Sequence, residues 1–295
     1  MDIAFMAHRS QRWCGLCHIL YSSAQYVGNP LPGETAISFA AQVPGPLSII
    51  KLIEHGASID KTNVYGFTPL LWASRAGLTE NVGALINGGA DVNKENIYGD
   101  TPLMWATLAG SKDTVRLLLK NGADPNKATH QNVTALMGAT TQGDTDIMSI
   151  LLAAGANKHT ETPYGLTALG ISIQTGNAAA IKLLVDADIV IHQNINGTTP
   201  LHEAVKQNDS YILFLVLDTC PDFTATDKDN ETALELANNL QRTEYAKIIQ
   251  DYIYSTCYRY DQAYKEGDVI YQNCEELICH CGGRWELGEG YDPNC

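Results

Sequence analysis

Gly66-Phe67-Thr68-Pro69-Leu70 is the stretch from which the rest of this chain can be read. Threonine before proline is a helix start. The hydroxyl accepts from unpaired N–H groups of the first turn, and proline is tolerated there because its missing N–H would have no partner. A short helix is predicted from Pro69 to Ala76, with small Ala73 allowing close packing and Gly77 breaking it. A second helix carries Val82, Leu85 and Ile86 on one face. Gly88 and Gly89 close it, because glycine enters the left-handed region at little steric cost. Asp91, Val92 and Asn93 then lead through an extended turn to Gly99.

The same five-residue pattern returns at Gly99–Leu103 and Gly197–Leu201, with weaker copies at Gly33–Ile37, Asn132–Leu136, Gly165–Leu169 and Asn230–Leu234. The lead residues 33, 66, 99, 132, 165, 197 and 230 are spaced by 33, with a single 32 before Gly197. The apolar triplets recur in register as Ile49, Leu52, Ile53; Val115, Leu118, Leu119; Met148, Leu151, Leu152; and Ile181, Leu184, Val185. A pair of short helices cannot bury its own apolar face. Seven copies in register therefore read as a stack in which neighbours cover one another and the ends need caps.

Period and signature resemble the ankyrin-repeat family, and the sixth copy has the Thr199-Pro200-Leu201-His202-Glu203-Ala204 motif in full. The resemblance covers about residues 33–250. It implies an all-α solenoid of helix-turn-helix units joined by β-hairpin-like turns, with an N-terminal cap over 1–32 and a Tyr- and Cys-rich helix and cap over 251–295. The last helix is expected to run on past Tyr252 and Ile253 to Tyr260 and Tyr264, and 267–295 to form an irregular, cysteine-tied cap. Asp188 stands where a glycine would close the fifth repeat, and Cys220-Pro221 fills the next Gly-Ala corner. With the missing residue before Gly197, they predict a local irregularity between the fifth and seventh repeats.

The resemblance also implies where a partner lies: along a concave face built from turn tips and the exposed side of the first helices. The corresponding residues are Tyr65, Phe67, Trp72 and Arg75 in the second repeat; Tyr98, Asp100, Trp105 and Leu108 in the third; Gln131 in the fourth; and Tyr164 in the fifth. Aromatics dominate the first part of that surface, and aromatics dominate binding energy at interfaces. The competing reading for Trp72 and Trp105, one period apart, is that they pack between neighbouring first helices as core.

The net charge of -14 argues against nucleic acid and anionic membrane surfaces, which need lysine and arginine. It favours a basic or neutral protein partner, since opposite charge speeds encounter. The longest apolar runs, such as Tyr211–Leu217, are far short of a membrane span. A soluble monomer is expected, with cytoplasm, including that of a host cell for an effector, preferred to a secreted or periplasmic location.

No cofactor or metal is expected. Cys14-Gly-Leu-Cys17-His18 matches a c-type haem attachment motif, but the surrounding sequence does not resemble a cytochrome. Arg9 and Arg12 before Trp13–Leu20 loosely resemble an export signal, although His18 and two cysteines interrupt so short an apolar core. One zinc ion cannot join Cys14 and Cys17 to Cys279, His280 or Cys281, because the ends of seven stacked repeats lie about 50–60 Å apart. A tail site from Cys274, Cys279, Cys281 and Cys295 would lack the usual Cys-x-x-Cys spacing, and disulfides there are an equal alternative. Catalysis by His8, His18 or His280 with a nearby cysteine is the rival functional class. No phosphate-binding glycine loop, Gly-x-Ser-x-Gly elbow or His-Glu-x-x-His segment accompanies them.

Overall fold

A computed structural model describes residues 32–186, 193–194, 197–207, 209–219 and 221–254, with the backbone of five short strands between 258 and 291. The chain divides into two compact bodies between Ser172 and Ile173.

In the first body each repeat contributes a pair of helices: α1 (Ala36–Ala41) and α2 (Leu47–Glu54); α3 (Pro69–Arg75) and α4 (Thr79–Asn87); α5 (Pro102–Leu108) and α6 (Lys112–Lys120); α7 (Ala135–Gln142) and α8 (Thr145–Ala153). α9 (Ala168–Gln174) carries the boundary between the bodies. First helices pack on first helices (α1 on α3, α3 on α5) and second on second (α2 on α4, α4 on α6, α6 on α8). Ile49, Val82, Leu85, Val115, Leu118, Met148 and Leu151 are fully buried, so the second-helix face expected from the spacing is the core.

The helix starts are local chemistry. Thr68 accepts from the Leu71 amide at 3.1 Å, and Thr101 and Thr134 cap α5 and α7 in the same way. Pro69 and Pro102 fill the first turn. The turns between repeats are set by the lead residue. Gly66 and Gly99 have φ of +77° and +83°, and Asn132 takes φ 58° in the same role, a conformation asparagine tolerates. Space is a second constraint at Gly66. A Cβ there would lie 2.8 Å from the Ile97 nitrogen and 2.9 Å from the Asn96 Cα, so the next hairpin comes as close as a glycine permits.

That approach lets successive hairpins bond to each other. The Val64 amide donates to the Pro32 carbonyl at 3.1 Å, Ile97 to Tyr65 at 3.1 Å, and His130 to Tyr98 at 3.0 Å. The equivalent donor of the fifth repeat is Pro163, which has no N–H. There the Asn132 side-chain amide donates to the Glu161 carbonyl at 2.9 Å.

The second body holds α10 (Ala178–Asp186), α11 (Pro200–Lys206), α12 (Ser210–Leu217), α13 (Ala233–Asn239) and α14 (Thr243–Tyr254). α10 packs on α12, α11 on α12 and α13, and α14 on α12 and α13. His202 is buried. Its Nδ1 bonds Thr199 Oγ1 at 2.7 Å and its Nε2 reaches the Glu231 carbonyl at 2.9 Å, so the signature histidine joins its own helix start to the next hairpin. Asp188 and Cys220, on which the expected irregularity rested, lie outside the described residues.

The C-terminal segment differs from its expected form. α14 is helical to Tyr254, and from Tyr258 the backbone pairs as strands, so the helix does not continue to Tyr264. β1 (Tyr258–Arg259) pairs with β2 (Gln262–Ala263). β3 (Val269–Gln272), β4 (Glu275–His280) and β5 (Arg284–Tyr291) form an antiparallel meander where an irregular cap was expected. The β-branched and aromatic residues Val269, Ile270 and Tyr271 suit a pleated strand better than a helix. The all-α class holds for the repeats, with fourteen helices among the described residues. No helix among the described residues is long and apolar enough to cross a membrane.

Crowding and backbone conformation make separable contributions at the positive-φ glycines. Gly66→Ala combines left-handed strain, roughly 1–2 kcal/mol, with a backbone clash. Gly110→Ala carries the strain alone, because Gly110 has φ +68° and nothing within 4 Å of a built Cβ. Urea unfolding followed by circular dichroism is expected to show the larger loss of midpoint for Gly66→Ala.

Candidate functional site

The hairpin tips present their side chains in a row because each tip is organised from inside. Three residues before the lead residue of the second to fifth repeats stands a buried oxygen acceptor. Asn63 Oδ1 receives the amides of Tyr65 (2.9 Å) and Phe67 (3.0 Å), and Asn96 Oδ1 those of Tyr98 (2.9 Å) and Asp100 (3.0 Å). Thr129 Oγ1 does the same for Gln131 and Val133, and Thr162 Oγ1 for Tyr164 and Leu166. These four residues were missed in the sequence. Their signal is a short polar side chain recurring at the 33-residue period, recognisable only once the side chain is known to close the turn.

Of the ten residues expected at the contact surface, the structure sorts six towards solvent and four inside. Tyr65 and Tyr98 are half-buried at successive tips, Gln131 is exposed at the next, and Tyr164 is 51% exposed at the one after. Val64 and Ile97, each beside a tip tyrosine, are more than half exposed. Arg75 and Leu108 are half-buried at the ends of α3 and α5.

Phe67, Trp72, Asp100 and Trp105 are not surface residues, with exposures of 2%, 4%, 2% and 2%. The reason is the row they occupy. Trp72 and Trp105 sit one period apart on stacked first helices, and Phe67 lies between them, with ring centroids 4.9 Å from Trp72 and 5.7 Å from Trp105. The Arg75 guanidinium covers both indoles, at 5.2 and 5.4 Å. Asp100 is turned inward to accept from the Asn96 side-chain amide at 2.8 Å, which steadies the tip that carries Tyr98. These four residues support the rim rather than form it.

Two features show that this support is tight but not fully satisfied. The indole nitrogens of Trp72 and Trp105 are buried without a hydrogen-bond partner, as are the hydroxyls of Ser74 and Thr107 one period apart behind them. Such groups cost about 1–3 kcal/mol each when left unpaired, and the apolar contact of the rings outweighs it. Burial holds the Glu34 carboxyl above its ordinary range, partly offset by a hydrogen bond with Asn63. On the outer helices, a hydrogen bond with Lys112 lowers Asp146 and raises Lys112 in turn, joining the third and fourth repeats at the surface.

Cys14, Cys17, His8 and His18, and the side chains of the C-terminal cysteines and His280, lie outside the described residues. Among the described residues no group of three or more His, Cys, Asp or Glu is placed to hold a metal ion.

The burial of the tryptophans separates their volume from their N–H. Trp105→Ala is expected to cost about 3–5 kcal/mol. Trp105→Phe, which keeps most of the ring and removes an unpaired N–H, is expected to cost a clearly smaller amount. Denaturant midpoints of the two variants check this.

Comparison with known proteins agrees with the geometry. The family described as ankyrin repeats (3 copies) matches residues 37–129, 77–162 and 136–227, which together exceed half of the chain. The crystal structure of the human ASB11 ankyrin repeat domain is similar to this chain, with a TM-score of 0.63 and 26% sequence identity, covering 74% of this chain and 98% of that one. No curated protein matches. Such folds are typically non-catalytic binding scaffolds. Stacked helix pairs, threonine-capped first helices, glycine-led hairpins and a family match over most of the repeats place this chain in the ankyrin-repeat family, as a protein–protein interaction module.

Proposed function

We propose that the chain holds a protein partner along the rim of hairpin tips from the second to the fifth repeat, acting as an adaptor, inhibitor or effector. Tyr65, Tyr98, Gln131 and Tyr164 form the contact row, flanked by Val64 and Ile97 and edged by Arg75 and Leu108. The observation that carries this reading is the spacing. Tyr65 and Tyr98, with Val64 and Ile97 beside them, stand one repeat apart, and Gln131 and Tyr164 continue the row at the same interval, on tips that buried Asn63, Asn96, Thr129 and Thr162 hold in place. A rigid row of amphipathic rings offers large contact area at little cost in conformational entropy, the property that makes tyrosine effective at interfaces. The net charge of -14 supports a basic or neutral partner arriving under electrostatic attraction.

Affinity for a captured partner tests the rim. Tyr65→Ser, Tyr98→Ser and Tyr164→Ser combined are expected to weaken binding by at least tenfold, with circular dichroism unchanged. Arg116→Ala with Ser149→Ala, on the outer helices, is expected to leave affinity alone. The association rate of the unmodified chain is expected to fall as salt rises from about 50 to about 300 mM, through screening. Equal affinity of the tyrosine variant and the unmodified chain contradicts the proposed site.

A further inference from the structure

The sixth repeat departs from its neighbours on the outer face of its second helix. Fourteen residues after the lead residue, the second, third, fourth and seventh repeats carry Glu80, Asp113, Asp146 and Glu244, all exposed, and the fifth carries Ala179. The sixth carries Tyr211, 54% exposed. Three residues on, Gly83, Arg116, Ser149, Lys182 and Lys247 of those repeats are replaced by Phe214, 40% exposed. Both rings lie on α12, which packs against both α10 and α14, so an end of the array does not account for them. Tyr252 of α14 joins Phe214, with ring centroids 6.4 Å apart and planes tilted by 48°. The Tyr252 hydroxyl donates to Asp218 Oδ1 at 3.2 Å, which sets a carboxylate beside the two rings. Exposed aromatic rings grouped on an otherwise charged or small outer face mark a contact surface.

The surroundings of these rings are acidic. Twenty-one residues after the lead, Asp186, Asp218 and Asp251 follow one another across α10, α12 and α14, all exposed, where the second, third and fourth repeats carry Asn87, Lys120 and Ala153. Each aspartate stands within one turn of its helix's C-terminal end, where the backbone carbonyls favour a cation over an anion. Asp209 and Glu244 bring the exposed carboxylates of these helices and the α12 cap to five, against two exposed lysines, Lys182 and Lys247.

We propose that this face of the sixth repeat is a second docking surface, for an arginine-bearing segment of another protein that lays its guanidinium groups against Tyr211, Phe214 and Asp218. Charge and shape select this occupant together. A guanidinium stacks on an aromatic face and pairs with a carboxylate through its planar fork, and it supplies the cation that the aspartate row calls for. A second copy of the chain would bring another -14 to an acidic surface, and nucleic acid or an anionic membrane would bring phosphates to it. The surface belongs to the outer helices of the second body and stands whether or not the hairpin tips hold a partner.

Fluorescence anisotropy of a labelled nonapeptide of alternating arginine and leucine tests the surface on the full-length chain. Tyr211→Glu with Phe214→Lys gives the sixth repeat the residues that Glu244 and Lys247 supply at the same register in the seventh, so net charge is unchanged. This pair is expected to weaken peptide binding at least tenfold, with circular dichroism and the thermal midpoint showing that the fold is kept. Should the midpoint fall, Tyr211→Ser alone, at a mostly exposed position, is expected to weaken binding by about threefold or more. Asp186→Asn, Asp218→Asn and Asp251→Asn combined are expected to weaken it at least tenfold. Glu80→Gln, Asp113→Asn and Asp146→Asn remove as many charges from the first body and are expected to change it by no more than about twofold. The matching peptide of lysine and leucine is expected to bind at least threefold more weakly, because an ammonium has no planar face. The proposal is overturned if the arginine peptide shows no saturable binding, if its affinity survives the ring substitutions, or if the first-body charge variant loses as much. Loss of peptide binding in the Tyr65→Ser, Tyr98→Ser, Tyr164→Ser chain places the peptide on the rim and overturns it too. So does self-association of the unmodified chain that Tyr211→Glu with Phe214→Lys abolishes in sedimentation, which assigns the face to a second copy.

Discussion

The structure of the first body depends on how closely one hairpin can approach the next. At Gly66 that approach leaves no room for a side chain, and the lead residue must also take a positive φ. Given both, the Ile97 amide reaches the Tyr65 carbonyl and the His130 amide reaches Tyr98, so these two tips are tied to their predecessors by backbone bonds. Helix stacking then follows in register, because the distance between hairpins sets the distance between helix pairs. The positive φ is local, and the close approach joins a hairpin only to the next one. Nearly all contacts join residues within one repeat or in adjacent ones, which is why a local motif repeated seven times specifies the array.

The aromatic cluster of Phe67, Trp72 and Trp105 shows how this scaffold separates support from display. Large rings fill the space between first helices and leave their indole nitrogens unpaired, a cost met by apolar burial. Asp100 turns inward to its own hairpin. Tyr65 and Tyr98, two residues before Phe67 and Asp100 on the same turns, are half-buried. The proposed contact row thus lies one or two positions from the core, and an inward or outward assignment hangs on the pitch of a single hairpin.

That pitch explains what the sequence disclosed and what it did not. The 33-residue period, the Thr-Pro helix starts and the second-helix triplets were legible because each follows from local chemistry. Tyr65, Tyr98, Gln131 and Tyr164 were legible as tips because they flank the lead residue. Phe67, Trp72, Asp100 and Trp105 were not separable from them, since a position on a short first helix meets both the neighbouring helix and the groove. Packing geometry alone decides which. The hairpin acceptors Asn63, Asn96, Thr129 and Thr162 were invisible because asparagine and threonine are ordinary in turns. The strands Val269–Gln272, Glu275–His280 and Arg284–Tyr291 lie beyond the repeat, where no period guides the reading and short apolar runs are ambiguous between helix and strand.

The proposed binding mode sets the partner against the hairpin tips of this ankyrin-repeat chain and not against the outer helices. Site-specific photo-crosslinking tests it most directly. A benzophenone amino acid is placed in turn at Tyr98 and at Arg116, both accessible but on different surfaces of the third repeat. Irradiation of the complex is expected to join the partner to the chain from position 98 and not from position 116. Crosslinking from position 116 alone would contradict it and move the binding surface to the outer helices.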